Sequence, residues 1–464
     1  ASPALIEKVR AAVTDGDGRF NIVDLRPGTY TVTFALAGFS TVRREGIMLS
    51  AGFAATVNAD LRVGSLEETI TVTGQSPIVD TQNVRQQRVV SDELLAALPS
   101  GGKGFSGIAR LVPGMSGGTD VGGAAGIYTA NSVWNATVHG KGGGKLSYDG
   151  MATNNLAING AMSYVPNPAT VEETVVEVGG ISAESDSSGV LTNLVPKEGG
   201  NAYRFGADAT YSTESLQSNN FNDKLRARGL TATNKIQHLY DVNVTQGGPV
   251  TRDRLWFFAA TRASGTQNQV AGIYFNKTRG TPFYTPDLDN PAYRKEWLKS
   301  IGGRITWQVS EKHKVNIFGD LQSYQVRGQG GNESPEAVTG WQFWPAGLYQ
   351  ATWSSPTSNR LLLDAGVSLT KNGFPYTREE ITKIFGFQVA PTDISIFEAS
   401  TGFRYNAKDR YYYKNQQDRY AGRFSMSYVT GSHAFKAGVQ SQTLVYNQDY
   451  VVNEGLQYTF LRGA

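Results

Sequence analysis

Several stretches of the sequence have residue types and spacings that could carry chemistry, and each fails on its surroundings. Gly102-Lys103-Gly104-Phe105-Ser106-Gly107 has the spacing of a dinucleotide-binding loop. That loop holds phosphate only between a buried strand and a helix N-terminus, whereas a helical run and Pro99 precede it here. Gly114-Met115-Ser116-Gly117-Gly118 has the spacing of a nucleophile elbow, but Pro113 stands where a strand should enter and a Gly/Ala-rich stretch where a helix should leave. In Gly142-Gly143-Gly144-Lys145 the first Gly of a phosphate loop is replaced by His139 and the magnesium-binding Ser or Thr by Leu146. Asp15-Gly16-Asp17-Gly18 begins like a calcium loop, yet the twelfth position is Arg26 instead of Glu, and Gly and Asp are turn residues in any case. The histidines, His139, His238, His313 and His433, are widely separated, so neither a zinc site nor a general base is supported. No catalytic, cofactor-binding or metal-ligating residues are expected, and the protein is not expected to be an enzyme.

One motif survives. Glu68-Thr69-Ile70-Thr71-Val72-Thr73-Gly74 is a short alternating β-former. Such a strand can add to the sheet edge of a partner, with backbone hydrogen bonds supplying affinity and alternate side chains selectivity. Taken alone, it reads first as the final strand of the β-domain before it.

The elements around that motif change character along the chain. Up to residue 63, turn signals alternate with short β-rich runs: Arg19 to Val23, Thr29 to Leu36 and Ala54 to Leu61, which predicts part of a small sandwich. Residues 64–88 are polar, lack an amphipathic period and contain Pro77, so they predict an extended connector. A helix is predicted from Ser91, a good N-cap, with Asp92 and Glu93 in its first turn, Leu94, Leu95 and Leu98 on its apolar face, and Pro99 ending it. A Gly-, Ser- and Asn-rich region to Gly200 with short strands such as Val171 to Val178 predicts a compact but irregular domain.

Beyond Gly200 the period is two. Tyr203, Phe205, Ala207, Ala209 and Tyr211 alternate with Arg204, Gly206, Asp208, Thr210 and Ser212, and Leu361, Leu363, Ala365, Val367 and Leu369 alternate with polar or small residues except Leu362. Ile236 to Thr245, Leu255 to Arg262, Ile301 to Val309, Val315 to Leu321, Tyr420 to Tyr428 and Phe435 to Val445 fit the same reading. These segments suit tilted strands that cross a bilayer, about 9–11 residues each. Long intervals (213–235, 263–300, 326–346, 371–418) take turns with short ones (247–253, 310–312, 354–359, 430–432). That rhythm belongs to a membrane barrel with short turns on one side and long loops on the other. A soluble Greek-key sandwich has no reason to keep it.

Composition agrees. There are 53 Gly, 22 Tyr, 21 Phe and 7 Trp but no Cys, which suits strands, turns and aromatic belts and excludes a disulfide scaffold. A net charge of +3, from 43 basic and 40 acidic residues spread along the chain, lacks the dense basic patch that nucleic acid requires. No apolar run reaches the ~18 residues of a spanning helix. The sequence opens at Ala1-Ser2-Pro3 without Met or a signal-like region, so any export signal is expected to lie outside it.

The order of these segments resembles the TonB-dependent receptor family, and within it the Oar-like group. Residues 68–74 look like the TonB box; the helix from Ser91 followed by Ile108-Ala109-Arg110-Leu111-Val112-Pro113-Gly114 is similar to the start of the plug. Val138-His139-Gly140 and Tyr148-Asp149-Gly150-Met151 resemble later plug signatures, with His139 in place of the usual Arg, and Val171 to Gly179 and Gly189 to Lys197 resemble its end. Thr14 to Ala37 is similar to a carboxypeptidase-regulatory-like domain lacking its first strands; Gly247-Gly248-Pro249-Val250 to Phe258 resembles a hairpin of this group, and Tyr274 to Leu288 one of its external loops.

The resemblance implies a mainly β protein: an N-terminally incomplete carboxypeptidase-regulatory-like β-sandwich at 1–63, a TonB-box connector at 64–88, an α+β plug at 89–199, and at 200–464 the first part of a transmembrane antiparallel β-barrel. A family barrel has about 22 strands around its plug, and the alternating segments supply about nine or ten, so the rest of the barrel is expected to lie outside this sequence. The implied activity is active import, or alternatively export, of a bulky solute across the bacterial outer membrane. It would be driven through contact of Glu68, Thr69, Ile70, Thr71, Val72, Thr73 and Gly74 with the TonB C-terminal domain, and indirectly with ExbB and ExbD. The alternatives are a passive adhesin or structural barrel, in which residues 68–74 are only a strand, and a secreted carbohydrate-binding β-protein, against which the apolar strand face argues. The solute is not legible: Trp341, Phe343 and Trp344 could stack on sugars or peptides, but interface anchoring explains them equally well.

Overall fold

The computed structural model describes residues 1–464 apart from 3–4, 6–8, 24, 51–53, 65–68, 73–85, 98–106, 109–110, 117–136, 141, 143, 155, 157–163, 181–183, 186–188, 231, 328–331, 339, 359, 376–385, 409–411, 431–432, 452 and 464. Near the N-terminus β1 (Gly28–Phe34) and β2 (Thr41–Leu49) form an antiparallel hairpin, and β3 (Thr69–Val72) joins the other edge of β2 in parallel. Leu5, Tyr30 and Ile47 are buried between this sheet and the flanking chain, with Ala55 and Val57 packed on them. Two β-rich runs expected to be strands, Arg19 to Val23 and Ala54 to Leu61, have no strand pairing among the described residues, and β2 was not expected. Composition favours a strand but pairing decides it. Ala55 and Val57 contribute apolar packing without joining a ladder, as β-propensity measured by burial allows.

The second unit is a mixed five-stranded sheet in the order β4 (Gln86–Ser91), β9 (Val171–Gly179), β10 (Leu191–Pro196), β7 (Lys145–Tyr148) and β8 (Met151–Ala152), with a separate short pair β5 (Met115–Ser116) and β6 (Thr137–Val138). Helix α1 (Asp92–Ala97) follows β4 directly, and the Ser91 hydroxyl caps it by accepting from Leu94 N at 3.3 Å. β4 straddles the expected boundary at residue 88, because residues on both sides of it, Gln86 to Ser91, pair with β9. Val90, Leu146, Tyr148, Tyr164, Val176, Val190 and Leu194 form the core of this unit, and Phe318 and Leu348 of the third unit complete it.

That third unit is a nine-stranded antiparallel sheet with neighbours in chain order: β11 (Arg204–Thr213), β12 (Lys235–Thr251), β13 (Leu255–Asn276), β14 (Pro286–Ser310), β15 (His313–Arg327), β16 (Gly340–Ser358), β17 (Leu361–Asn372), β20 (Tyr412–Thr430) and β21 (His433–Val451). Connections of two or three residues, 252–254 and 311–312 among them, alternate with 214–234, 277–285, 328–339 and 373–411. The interval 263–300, expected to be a loop, is mostly strand: β13 and β14 stay paired from Arg262↔Ser300 to Gln269↔Tyr293. The regular apolar-polar alternation stops there, since residues such as Ser264, Thr266 and Glu296 are polar yet buried, but the backbone ladder continues. On the long-connection side β18 (Ser395–Glu398), β19 (Phe403–Tyr405) and β22 (Gln457–Phe460) make a small sheet.

The two faces of the large sheet differ as the period demands. Across the outer face run registered apolar rows: Ile305 opposite Ile317, Ile301 opposite Leu321, Tyr349 opposite Leu369, Leu369 opposite Tyr420, and Phe424 opposite Val439. The inner face carries Arg262, Arg304, Thr306, Asp320, Gln322, Gln350 and Thr370, all buried under the five-stranded unit or beside it. No helix among the described residues is long and apolar enough to cross a membrane.

β17 yields the clearest test of that partition, with Val367 62% exposed on the outer face while Ser368 and Thr370 are 8% and 1% exposed on the inner. Spin labels along Arg360 to Thr370 are expected to show two-residue alternation in quenching by lipid-soluble reagents, with Leu361, Leu363, Ala365, Val367 and Leu369 quenched and Asp364 protected. Uniform water accessibility would remove the membrane assignment. Val367→Arg is expected to cost about 2–4 kcal/mol of barrel stability if the site lies near the midplane.

Candidate functional site: the edge strand and the plug seam

Of the motif at 68–74, Glu68, Thr73 and Gly74 lie outside the described residues. Thr69–Val72 is β3, in parallel register with β2 from Thr41↔Thr69 and Val42↔Ile70 to Arg44↔Val72. Just before it, Ser40 N donates to Arg62 O at 2.8 Å and Gly64 N to Gly38 O at 3.3 Å, which brings the chain to the start of β2. The segment therefore forms the backbone pairing its alternation allows, and forms it within the chain.

The second feature is the seam between the five-stranded unit and the inner face of the large sheet. It is built from polar side chains reaching backbone atoms. Gln322 Nε2 donates to Val165 O at 2.6 Å while Val165 N donates back to Gln322 Oε1 at 3.2 Å. Gln350 Nε2 donates to Tyr148 O at 3.1 Å, Arg423 Nη1 to Gly150 O at 3.4 Å, and Arg419 to Ala152 O. The Tyr164 hydroxyl donates to Asp320 Oδ2 at 2.6 Å. Apolar contacts join them, among them the Tyr148 ring against Phe318 at 4.6 Å between centroids and Val165 packed among Leu298, Tyr324, Val326 and Phe343. Asp149 and Gly150 form the two-residue turn between β7 and β8, with φ of 53° and 72°. A turn of that hand needs positive φ at both positions, which is why Asp-Gly is found there. The turn presents Asp149 to the sheet.

At the short-connection end of the seam lies an ionic hub. Arg304 of β14, buried, donates from Nη1 to Asp149 Oδ2 and from Nη2 to Glu198 Oε1, both at 3.1 Å. Lys314 of β15 is 4.0 Å from the same Glu198 oxygen, and Arg26 from the N-terminal domain is ion-paired to its other oxygen. Three parts of the chain thus meet on one carboxylate. Burial alone would raise the Glu198 carboxyl, but Arg26, Lys314 and Arg304 outweigh it and hold it at about 2. Its neighbour Glu172 on β9 goes the other way: burial first, then the charge of Glu198, pushes it up to about 7. A second link to the large sheet runs from Asp15 to Arg360, 3.5 Å, in the turn before β17. Asp15 also accepts from Asp17 N and Arg19 N, which closes the turn.

Sequence reasoning did not single out Arg304, Glu198, Arg26, Glu172, Tyr164 or Asp320. The period places Arg304 and Asp320 inward, but their partners lie 106 to 156 residues away in the chain, and no local pattern encodes that distance. Of the aromatic trio, Phe343 is buried against Tyr324 (3.9 Å) and Phe374 (5.0 Å), so it is not free to stack on a solute, whereas Trp344 is exposed. On the long-connection side Tyr284 packs on Phe403 and Tyr405, whose hydroxyl donates to Pro282 O at 2.9 Å, so those loops form one cap. His139 lies in the turn after β6 with φ of 49°, its ring against Gly114, and His313 stacks on Trp353. Ser116 shares a 2.6 Å hydrogen bond with Thr137, while Gly117 and Gly118, like Gly102 to Ser106, lie outside the described residues.

The hub makes two predictions. Arg304→Met removes the charge that Asp149 and Glu198 share, and is expected to cost about 3–5 kcal/mol, as for breaking a buried pair from one side; denaturant unfolding of the five-stranded unit measures it. The second concerns pH. Because the Glu172 pKa is higher folded than unfolded, the folded state binds the proton more tightly, and this unit loses stability as pH rises through about 7. Glu198, held low, has the opposite sign, and its contribution is lost only as pH falls through the acid range toward about 2. Amide exchange in β9 is therefore expected to be slower at pH 5.5 than at pH 8 beyond the intrinsic rate change, and Glu172→Gln is expected to remove that difference.

Residues 4–62 match the carboxypeptidase regulatory-like domain family. Over 333 residues, 66% of this chain and 30% of the relative, the sequence is 27% identical to the TonB-dependent transporter Oar of Myxococcus xanthus. The outer membrane transporter YddB of Escherichia coli superposes with a TM-score of 0.50 at 11% identity, covering 77% of this chain and 48% of that one. A ferric enterobactin receptor mutant of Pseudomonas aeruginosa gives 0.48 at 12% identity, covering 77% and 49%. The chain thus spans under a third of the curated relative and about half of these solved structures. These relatives are transporters and receptors rather than enzymes. In sequence the chain is similar to the TonB-dependent transporter Oar, with a carboxypeptidase regulatory-like domain at residues 4–62, and in fold, a plug-like unit against antiparallel barrel strands, it is similar to the outer membrane transporter YddB.

Proposed function

We propose that the protein moves a bulky solute across the outer membrane by TonB-dependent active transport, with residues 89–199 as the gating plug and residues 68–74 as the strand that TonB takes hold of. Import is the favoured direction and export the alternative. The partners are the TonB C-terminal domain, ExbB and ExbD through it, and outer-membrane lipid around the barrel. The single observation that carries the reading is the backbone of Thr69–Val72, already a strand at a sheet edge. Strand addition of that kind is how an extended segment binds a folded partner. The polar seam supports the gate. Apart from the Arg304 hub, its polar contacts are mostly separate hydrogen bonds to plug carbonyls, each worth about 0.5–1.5 kcal/mol net from an amide and about 1.5–3 kcal/mol from a guanidinium, so a pull can break them one after another.

A second reading has an observation of its own. The pairing of β3 with β2 is also what a plain final strand of the N-terminal domain would show, and it leaves open a passive adhesin. Proline separates the two, since it removes a backbone donor and fixes φ. In the full-length protein, Ile70→Pro and Val72→Pro are expected to abolish cross-linking to the TonB C-terminal domain and energised uptake, while Thr71→Ala does much less. If both proline variants cross-link and transport like the wild type, the adhesin reading replaces this one.

A further inference from the structure

One hydrogen-bonded row of the large sheet seats the β7–β8 hairpin of the plug. Along it Arg304 pairs with Phe318, Phe318 with Gln350, Gln350 with Ser368, and Ser368 with Ala421, which stands between Arg419 and Arg423 on β20. The middle of the row is neutral and fits closely. Phe318 and Gln350 meet Tyr148, and a Cβ on Gly366, the inward neighbour of Ser368 on β17, would stand 2.7 Å from Met151 Sδ. The ends are cationic. Arg304 donates to Asp149 at one, and Arg423 and Arg419 donate to Gly150 O and Ala152 O at the other.

Other arginines of the inner face are neutralised by the wall itself. Arg262 grips Asp241 of β12 with two hydrogen bonds, and Arg294 is ion-paired to Glu296 of its own strand. The row is different. Both acids on Arg304 belong to the plug, and the hydrogen bond of Arg423 among the described residues goes to a plug carbonyl at 3.4 Å. The Nε of each is buried and without a partner among the described residues. A displaced hairpin takes Asp149 and the carbonyls with it. Glu198, which Lys314 and Arg26 also share, cannot offset all of these charges.

We propose that this row is a cationic lane for the solute, and that the solute is anionic: once the hairpin leaves, Arg304 and Arg423 exchange their plug partners for its carboxylate or phosphate oxygens. This rests on the transport role proposed above and names the class of its solute. A guanidinium takes either oxyanion two-pronged, and a cation left unpaired in such a wall is costly. An anionic solute therefore offsets part of the cost of unseating the hairpin, and a neutral one does not.

The lane is tested with the full-length protein in planar bilayers, opened by urea on the short-connection side, since urea solvates peptide groups and adds no charge. The reversal potential is read across a KCl gradient. The open pore is expected to prefer chloride to potassium, and Arg423→Gln, which leaves the Glu198 hub untouched, to lower the permeability ratio by about twofold or more. Arg304→Gln is expected to lower it as well, and Arg423→Lys to keep the wild-type ratio. Inorganic phosphate and citrate, added separately on the long-connection side, are expected to block the wild-type current more than that of Arg423→Gln, the stronger blocker identifying the oxyanion. A pore that prefers potassium, a ratio that both Gln variants leave unchanged, or a current that neither anion blocks overturns the lane. The readout needs no TonB, so an anion-selective pore in a protein without TonB-driven uptake would keep the lane and remove only the active transport.

Discussion

A backbone N–H or C=O facing hydrocarbon has nothing else to bond to, so a strand can cross a bilayer only with both edges taken by neighbours. The large sheet answers this constraint with unbroken antiparallel ladders, as from β14 to β15 where Lys295↔Arg327 runs to Ser310↔His313. The period of two then follows, because each strand must show lipid on one side and plug or water on the other. Arg304, Asp320 and Gln350 point inward for the same reason that Ile305, Ile317 and Tyr349 point outward.

The same physics governs the two functional features. In the seam, buried amides and guanidinium groups need partners, and the plug supplies carbonyls at Tyr148, Gly150, Ala152 and Val165. The plug is held by these directional bonds and by two apolar patches, one with Phe318 and Leu348 and one where Val165 packs among Leu298, Tyr324, Val326 and Phe343. At the N-terminal domain an edge outside the membrane is free to accept a strand, and β3 occupies it.

What the sequence made legible follows from how local each determinant is. The alternation at 203–212 and 361–370 is local, and strands stand there. The helix after Ser91 was legible from its cap. β2 was missed because Thr41-Val42-Arg43-Arg44-Glu45 mixes charge on both faces and shows no period. The extension of β13 and β14 was missed because its buried face is itself largely polar, with Arg262, Ser264, Thr266 and Glu296 on it, so no apolar period marks it. The ionic hub was invisible: Glu198 draws charges from residues 26, 304 and 314, and only the folded chain brings them together. For residues 68–74 the capacity to pair was legible; the partner of Thr69–Val72, β2, lies in the β-domain before the segment but was itself not foreseen.

The central claim is that this strand is what TonB recognises. It is tested most directly by titrating the TonB C-terminal domain onto the full-length protein in detergent, with and without excess synthetic peptide of the sequence Glu68 to Gly74. The account predicts saturable binding that this peptide abolishes and a scrambled peptide of the same composition does not. Absence of binding, or binding that neither peptide affects, would contradict it.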